Sequence, residues 1–219
     1  KRRFTYKLIT WARTNGRDFP WRNSDNPYNI LIAELLLQRT KASQVQPVYE
    51  RFIDRFPSPG KLVNAETEEI ESVIRSLGLL KKVPMIKKLA IEITENCGGK
   101  IPRDRKELLA LTGVGHYTAN AVLCFAFGGS LPVVDWNVAR VFKRLWKYPL
   151  KSAPHADKKF IEFVSGFIPE KNARFLNFAI LDFAALVCVP RKPYCESCPV
   201  ADICEYFNLN RITGDHENT

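Results

Sequence analysis

Residues 111–119 read Leu-Thr-Gly-Val-Gly-His-Tyr-Thr-Ala, two glycines spaced by one residue between two stretches with apolar residues at helical spacing, 104–111 and 117–127. A short hairpin between helices needs residues that accept an unusual φ and let another backbone come close, and Gly113 and Gly115 are expected to supply both. The N–H groups of such a hairpin, with the N-terminus of the helix that begins near Tyr117, form a nest for a phosphate. Gly-x-Gly alone is a weak signal, and a plain helix–helix turn is its default meaning. No strand pattern precedes it, which argues against a dinucleotide-binding fold.

Outward from the hairpin the chain stays helical. Apolar residues recur at three-and-four spacing over 28–38, 43–56, 67–77 and 83–96, and the pattern resumes over 136–147, 156–168 and 172–187. Pro57, Gly78 and Gly98 stand where helices stop, and Ser43, Thr67 and Asp104 stand as N-caps. The fold class is therefore all-α. Residues 24–134 are expected to form one helical lobe, and residues 1–23 with 135–219 a second, with a groove between them. The polar tail 211–219, which includes His216, is expected to be loose. Trp11, Trp21 and Trp146 are assigned to the core.

At 219 residues and 46% hydrophobic composition the chain can bury a sizeable core. No stretch approaches the roughly 18 apolar residues that span a bilayer, and no signal-peptide pattern opens the chain. A soluble, cytoplasmic and nucleoid-associated monomer is expected. Thirty-three Lys and Arg against twenty-three Asp and Glu give a net charge of +10, which favours a polyanionic partner, the bland alternative being a basic protein that is merely soluble. The charge is clustered: Lys81, Lys82, Lys87 and Lys88 follow one loop, and Arg140, Lys143, Arg144 and Lys147 ride one helix.

Four of the six cysteines lie within one run, CVPRKPYCESCPVADIC, as Cys188, Cys195, Cys198 and Cys204. Four soft sulfurs suit zinc or a [4Fe-4S] cluster. Zinc sites usually pair short Cys-x(2–4)-Cys knuckles, whereas here only the central pair is close, so the wider spacing favours the larger cubane. Cys97 and Cys124 fall on separate helical patterns and are expected to be buried or half-buried thiols.

Asp135 follows a short apolar run in LPVVDWNVAR and precedes a helix. Its commonest role there is an N-cap. Facing a groove, the same carboxylate would stabilise a cationic sugar or activate a water.

The hairpin LTGVGHYTA, Asp135 in VVDWN and the C-x6-C-x2-C-x5-C loop together resemble the helix-hairpin-helix DNA glycosylases of the endonuclease III superfamily, which carry a [4Fe-4S] cluster. The resemblance runs from DFPWR at 18–22 and DNPYNILIAELLLQRT at 25–40 to Cys204. It implies that the hairpin residues Gly113, Val114, Gly115 and His116 grip the phosphate backbone of double-stranded DNA holding a mismatched or damaged base. Asp135 would be the catalytic carboxylate, the four cysteines would hold the cluster, and Arg191 and Lys192 of the cluster loop would face DNA. Gln38, beside Arg39, would fill the gap left by a flipped base, and Leu79 or Leu80, before Lys81 and Lys82, would form a wedge on the other strand. Members that also cut the strand carry a lysine where this chain has Tyr117, and tyrosine resembles the archaeal thymine and uracil mismatch enzymes. Glu34 matches a glutamate that the MutY-type adenine glycosylases use as a ring acid, and is expected to hydrogen-bond the base. The resemblance thus implies a monofunctional glycosylase acting on thymine or uracil opposite guanine, with an adenine glycosylase or a non-catalytic DNA-binding module as alternatives.

Overall fold

The computed structural model describes residues 1–213, so His216 and the rest of the tail lie outside the described residues. Twelve α-helices are present among them: α1 (Arg2–Asn15), α2 (Pro27–Leu37), α3 (Ala42–Arg55), α4 (Pro59–Val63), α5 (Thr67–Ile74), α6 (Val83–Asn96), α7 (Arg105–Ala110), α8 (His116–Phe125), α9 (Trp136–Trp146), α10 (Lys158–Ser165), α11 (Ala173–Leu186) and α12 (Glu205–Thr213). No strand occurs among the described residues, so the fold is all-α. No described helix is long and apolar enough to cross a membrane.

The chain divides into two compact units, Asp18–Gly128 and Lys1–Arg17 with Gly129–Thr219. Sequence periodicity puts these divisions at 23/24 and 134/135. The aromatic pair in DFPWR accounts for the first difference, because Phe19 stacks on Trp21 at 4.7 Å and Trp21 meets Tyr49 of α3 edge-on at 5.3 Å. Those contacts hold residues 19–21 in the contiguous unit. Val133 accounts for the second, since its N–H donates to Asn177 of α11 at 2.9 Å.

The contiguous unit is built around α2. Asn26 caps this helix by accepting from Tyr28 N–H at 2.9 Å, and Pro27 takes its first position, where a missing N–H costs nothing. Its apolar residues are not confined to one stripe. Ile30 through Leu36 are all buried, because α3 and α8 both pack against it. Helix α5 starts one residue earlier than its Thr67 suggests as a cap: Glu66 is the N-cap and forms a reciprocal capping box with Glu69. Ser43 likewise lies inside the first turn of α3, whose N-cap is Lys41. Asp104 does cap α7, accepting from Lys106 and Glu107 N–H at 2.8 and 3.0 Å.

The second unit is discontinuous in sequence. Helix α1 packs on α11, and α9 packs on both α11 and α12. Its core is aromatic: Phe4, with no exposed surface, meets Phe142, Trp146 and Phe167 at 5.8, 5.1 and 5.7 Å between ring centres. Arg17 closes the unit's N-terminal segment onto α11, where its Nε and N–H donate to the buried Asp182 carboxylate at 2.6 and 2.9 Å. Three segments lie outside the periodic stretches, the N-terminal α1, the five-residue α4 and the polar α12, which runs through residues 211–213 of the expected loose tail.

Candidate functional site

The hairpin between α7 and α8 shows why its first glycine is needed. Gly113 has φ +81°, and a Cβ placed there would lie 2.6 Å from Met85 Sδ. The left-handed conformation strains any side chain there, and a Cβ would also have to push the end of the Met85 side chain aside. Gly115 is different from expectation: its φ of −93° suits any residue, and a Cβ at that position would meet no atom within 4 Å. What Gly115 contributes is bare surface at the N-terminus of α8, where the first N–H groups have no acceptor within their helix. Val114 is buried and its N–H donates to Leu111 C=O at 3.1 Å, so it serves the hairpin's framework. His116 is exposed, with Nδ1 3.2 Å from Arg105 Nη2.

A carboxylate on α6 holds the hairpin from below. Glu92 accepts from Thr112 N–H at 2.7 Å and from Thr112 Oγ1 at 2.6 Å. Burial alone would raise its pKa, but the two Thr112 bonds, followed by the Lys88 charge, hold it below the usual carboxylate range. Tyr117 is the second residue of α8 and is half-buried. Glu34, on α2, is 5% exposed, so a carboxyl group stands inside the most apolar helix of the unit.

The turn after α2 and the turn before α6 meet within the same unit. Gln38 ends α2, and Arg39 follows with φ +65°, in the left-handed region that L side chains rarely adopt. Leu79 is buried and Leu80 half-buried, while Lys81 is exposed. Lys82 does not project to solvent. Its Nζ donates to Leu35 C=O at 2.9 Å and to Gln38 Oε1 at 3.0 Å.

In the discontinuous unit Asp135 is the N-cap of α9. One carboxylate oxygen accepts from Val138 N–H at 2.8 Å and the other from Asn137 Nδ2 at 2.7 Å. The segment leading to it is held by a residue that sequence reading passes over. Asn177, buried in α11, accepts from Val133 N–H at 2.9 Å and donates to Leu131 C=O at 3.0 Å. A lone Asn within RFLNFAIL is the available signal, since a buried amide in an apolar helix must find partners. Trp136 is also passed over. It is 63% exposed beside Asp135, off the stripe formed by Val138, Val141, Phe142 and Leu145.

Two basic residues of α9, Arg140 and Arg144, have a purpose other than a solvated face, while Lys143 is exposed. Arg140 donates to Asn137 Oδ1, Ala184 C=O and Cys188 C=O at 3.0, 2.8 and 2.9 Å. Arg144 donates to Val189 and Pro190 C=O at 2.7 and 2.8 Å and approaches Cys188 Sγ at 3.4 Å. These guanidiniums clamp the start of the cysteine loop, and hydrogen bonds run unbroken from Asp135 through Asn137 and Arg140 to Cys188. Arg191 and Lys192 remain exposed, Lys192 with φ +46°.

Cys188, Cys195, Cys198 and Cys204 line one pocket, walled by Leu145, Phe183, Val187 and Phe207. Burial pushes the Cys198 thiol up to about 12 and raises those of Cys195 and Cys204. Thiols so placed ionise readily only against a strong positive centre. Among the described residues no three His, Cys, Asp or Glu side chains converge closely enough for a single ion. Four sulfurs spread around a shared cavity fit a group larger than one ion, which a [4Fe-4S] cubane is.

Residues 32–165 match the model of the HhH-GPD superfamily of base excision DNA repair proteins. The chain belongs to that family. Residues 188–204 match the iron–sulfur binding domain of endonuclease III, and the cofactor of this loop is a [4Fe-4S] cluster. The chain is 36% identical over 205 residues to a thymine/uracil-DNA glycosylase of Methanothermobacter thermautotrophicus, covering 93% of each. It is 34% identical over 197 residues to an adenine DNA glycosylase of Mycolicibacterium smegmatis, covering 89% of this chain and 67% of the relative. Among solved structures, a thermostable thymine-DNA glycosylase superposes with a TM-score of 0.89 at 36% identity, covering 94% of this chain and 95% of the other.

Proposed function

We propose that this DNA glycosylase is monofunctional, removing thymine or uracil mispaired with guanine in double-stranded DNA by hydrolysis of the N-glycosidic bond. The observation that carries this reading is Tyr117 at the second position of α8, where the resemblance calls for lysine in strand-cutting relatives. A phenol has no amine to form a Schiff base at C1′, so water is the nucleophile and the strand stays intact.

Asp135 supplies the negative charge. Loss of the base leaves positive charge on the sugar, and a carboxylate already oriented by Val138 and Asn137 stabilises it without reorganising. Capping α9 and serving the sugar are compatible, since each carboxylate oxygen has two lone pairs. Thymine and uracil leave as anions that hydrogen bonds stabilise, and Glu34 is the buried group assigned to the base. Selection begins with extrusion, which costs a few kcal/mol and less for a mismatched pair.

The DNA backbone is held by Gly113, Gly115 and His116 of the hairpin and by Lys81, Arg191 and Lys192, all exposed or bare. Gln38 fills the gap in the stack, with Leu80 as wedge. Cys188, Cys195, Cys198 and Cys204 ligate the cluster, which binds four points of the chain into one framework for the basic loop.

The test is base release from duplexes containing G·T, G·U, adenine opposite 8-oxoguanine, or an oxidised pyrimidine, with and without alkali. Release of thymine or uracil, with strand breaks only after alkali, supports the proposal. Breaks without alkali would overturn the assignment of Tyr117. Release of adenine alone would favour the second reading, to which the adenine glycosylase relative and the buried Glu34 point. Duplex binding with no base release at all would leave a non-catalytic binding module.

A further inference from the structure

Lys82 is expected from its sequence context to meet DNA phosphate, as its neighbour Lys81 can. Its ammonium is instead committed inside the contiguous unit. Two of its bonds go to Leu35 C=O at 2.9 Å and Gln38 Oε1 at 3.0 Å, and Gln38 C=O lies at 3.5 Å. An ammonium has three protons, and two of them are thereby used at ordinary hydrogen-bond distances, with a third acceptor at the edge of reach. Leu35 belongs to the last turn of α2, whose carbonyls find no donor within the helix. Lys82 therefore caps α2 from a different element, a segment 47 residues later in the chain.

The same bonds fix Gln38 twice, at its side chain and near its backbone. The chain then turns sharply: Arg39 takes φ +65° and Thr40 N–H closes onto Leu37 C=O at 3.2 Å. Arg39 and Lys82 bring two like charges to one turn, and burial together with the Arg39 charge lowers the Lys82 pKa. A surface lysine in so unfavourable a place would swing to solvent, unless the bonds it makes offset the loss of water.

We propose that Lys82 is a positioning residue that presets Gln38 and ties the turn after α2 to the turn at Leu79–Lys82, so that the gap-filling and wedge loops act as one body. This rests on the reading of Gln38 and Leu80 given above. Both loops must enter the duplex in concert when a base leaves the stack. A glutamine held in advance does not lose rotamer freedom at that moment, which lowers the cost of the inserted state.

The experiment compares wild type, Lys82→Met, Gln38→Ala and the double variant in cluster-loaded protein, with Lys82→Arg as the variant that restores donors. Duplex affinity and single-turnover base release are both measured on a G·U duplex across a salt series. Each single variant is expected to slow release about tenfold with little change in thermal midpoint, and the double variant to be no more than about twofold worse than either, because coupled residues are not additive. Lys82→Arg is expected to recover most of the loss. The slope of log affinity against log salt is expected to stay at the wild-type value in Lys82→Met. A fall in that slope of about 0.9 would make Lys82 a phosphate contact and overturn the proposal. So would additive losses in the double variant. Should Lys82→Met fail to fold, Lys82→Gln takes its place in the same double-variant comparison with Gln38→Ala. Failure of the underlying enzyme reading is distinguishable: wild type would then release no base, while coupling and salt slope would still be read from duplex binding.

Discussion

Asp135 and Tyr117 concentrate the functional argument in two side chains. Asp135→Asn keeps an acceptor for Val138 N–H, so α9 retains its cap while the charge is lost. Base release should fall about 10²–10³-fold, with duplex affinity held within about threefold, as expected where charge matters only in the transition state. Equal losses in binding and release would instead mark Asp135 as a structural cap. Tyr117→Lys is the complementary gain: an amine at that position should allow borohydride to trap a covalent protein–DNA adduct that wild type never forms. Absence of an adduct in an active Tyr117→Lys protein would remove position 117 from the reacting sugar. Both assignments come from the sequence, because each is read locally, from a motif only a few residues long. Asn177, Lys82, Arg140 and Arg144 were not legible in their actual roles, because each bonds to a group at least 44 residues away in the chain. Charge periodicity can place an arginine on a helix, but it does not reveal which carbonyls another segment will bring to it.

At the scale of elements, the hairpin is a tethered device. Glu92 has a folded pKa below its ordinary value, so its contribution is complete above that value, near pH ~4.3, and is lost as pH falls through the folded one. Amide-exchange protection at Thr112, corrected for intrinsic rates, should therefore weaken on acidification in wild type. In Glu92→Gln protein it should be lower and nearly independent of pH over the same range. A pH-independent wild type would show that Glu92 does not govern the hairpin. The cysteine loop is tethered in a comparable manner by α9. Arg144→Ala deletes the bonds to Val189 and Pro190 and the approach to Cys188, and iron release to a chelator should accelerate several-fold, with α9 helicity retained. Helix type and number were largely readable, since long amphipathic stretches declare themselves. The all-round burial of α2 and the short α4 did not, because packing from two sides and a single helical turn leave no periodic signature.

The whole molecule combines one contiguous unit with one whose first helix must await its last segments. Helix α1 is fixed by Arg17 to Asp182, by Lys7 to Asp202 at 2.9 Å and to Pro199 C=O at 3.3 Å, and by an Arg3–Asp202 ion pair. Residues 18–128 require no such return of the chain. Arg17→Ala would remove the Nε bond and its charge from the nearly solvent-free Asp182 carboxylate, which keeps the backbone N–H of residue 17, at a cost of about 1–3 kcal/mol. That loss should appear in hydrogen exchange of α1 and α11 and leave α2, α3 and α8 unchanged. Uniform destabilisation of all five helices would indicate that the chain unfolds as one cooperative body. The charge balance foretold a polyanionic partner for the molecule as a whole, yet part of the excess proves to be internal, since Lys82, Arg140 and Arg144 are spent on carbonyls.

Met85, against which Gly113 packs so closely, is the only methionine in the sequence. Labelling with methyl-¹³C-methionine would therefore yield a single resonance, located directly beneath the hairpin. Titration with DNA, acidification and loss of the Glu92 tether would each be read from one peak, without assignment of the spectrum. The same sulfur is the chain's one thioether, open to oxidation to the sulfoxide. A sulfoxide would put a polar oxygen on the sulfur that packs against Gly113, so peroxide should convert that one peak and weaken duplex binding together.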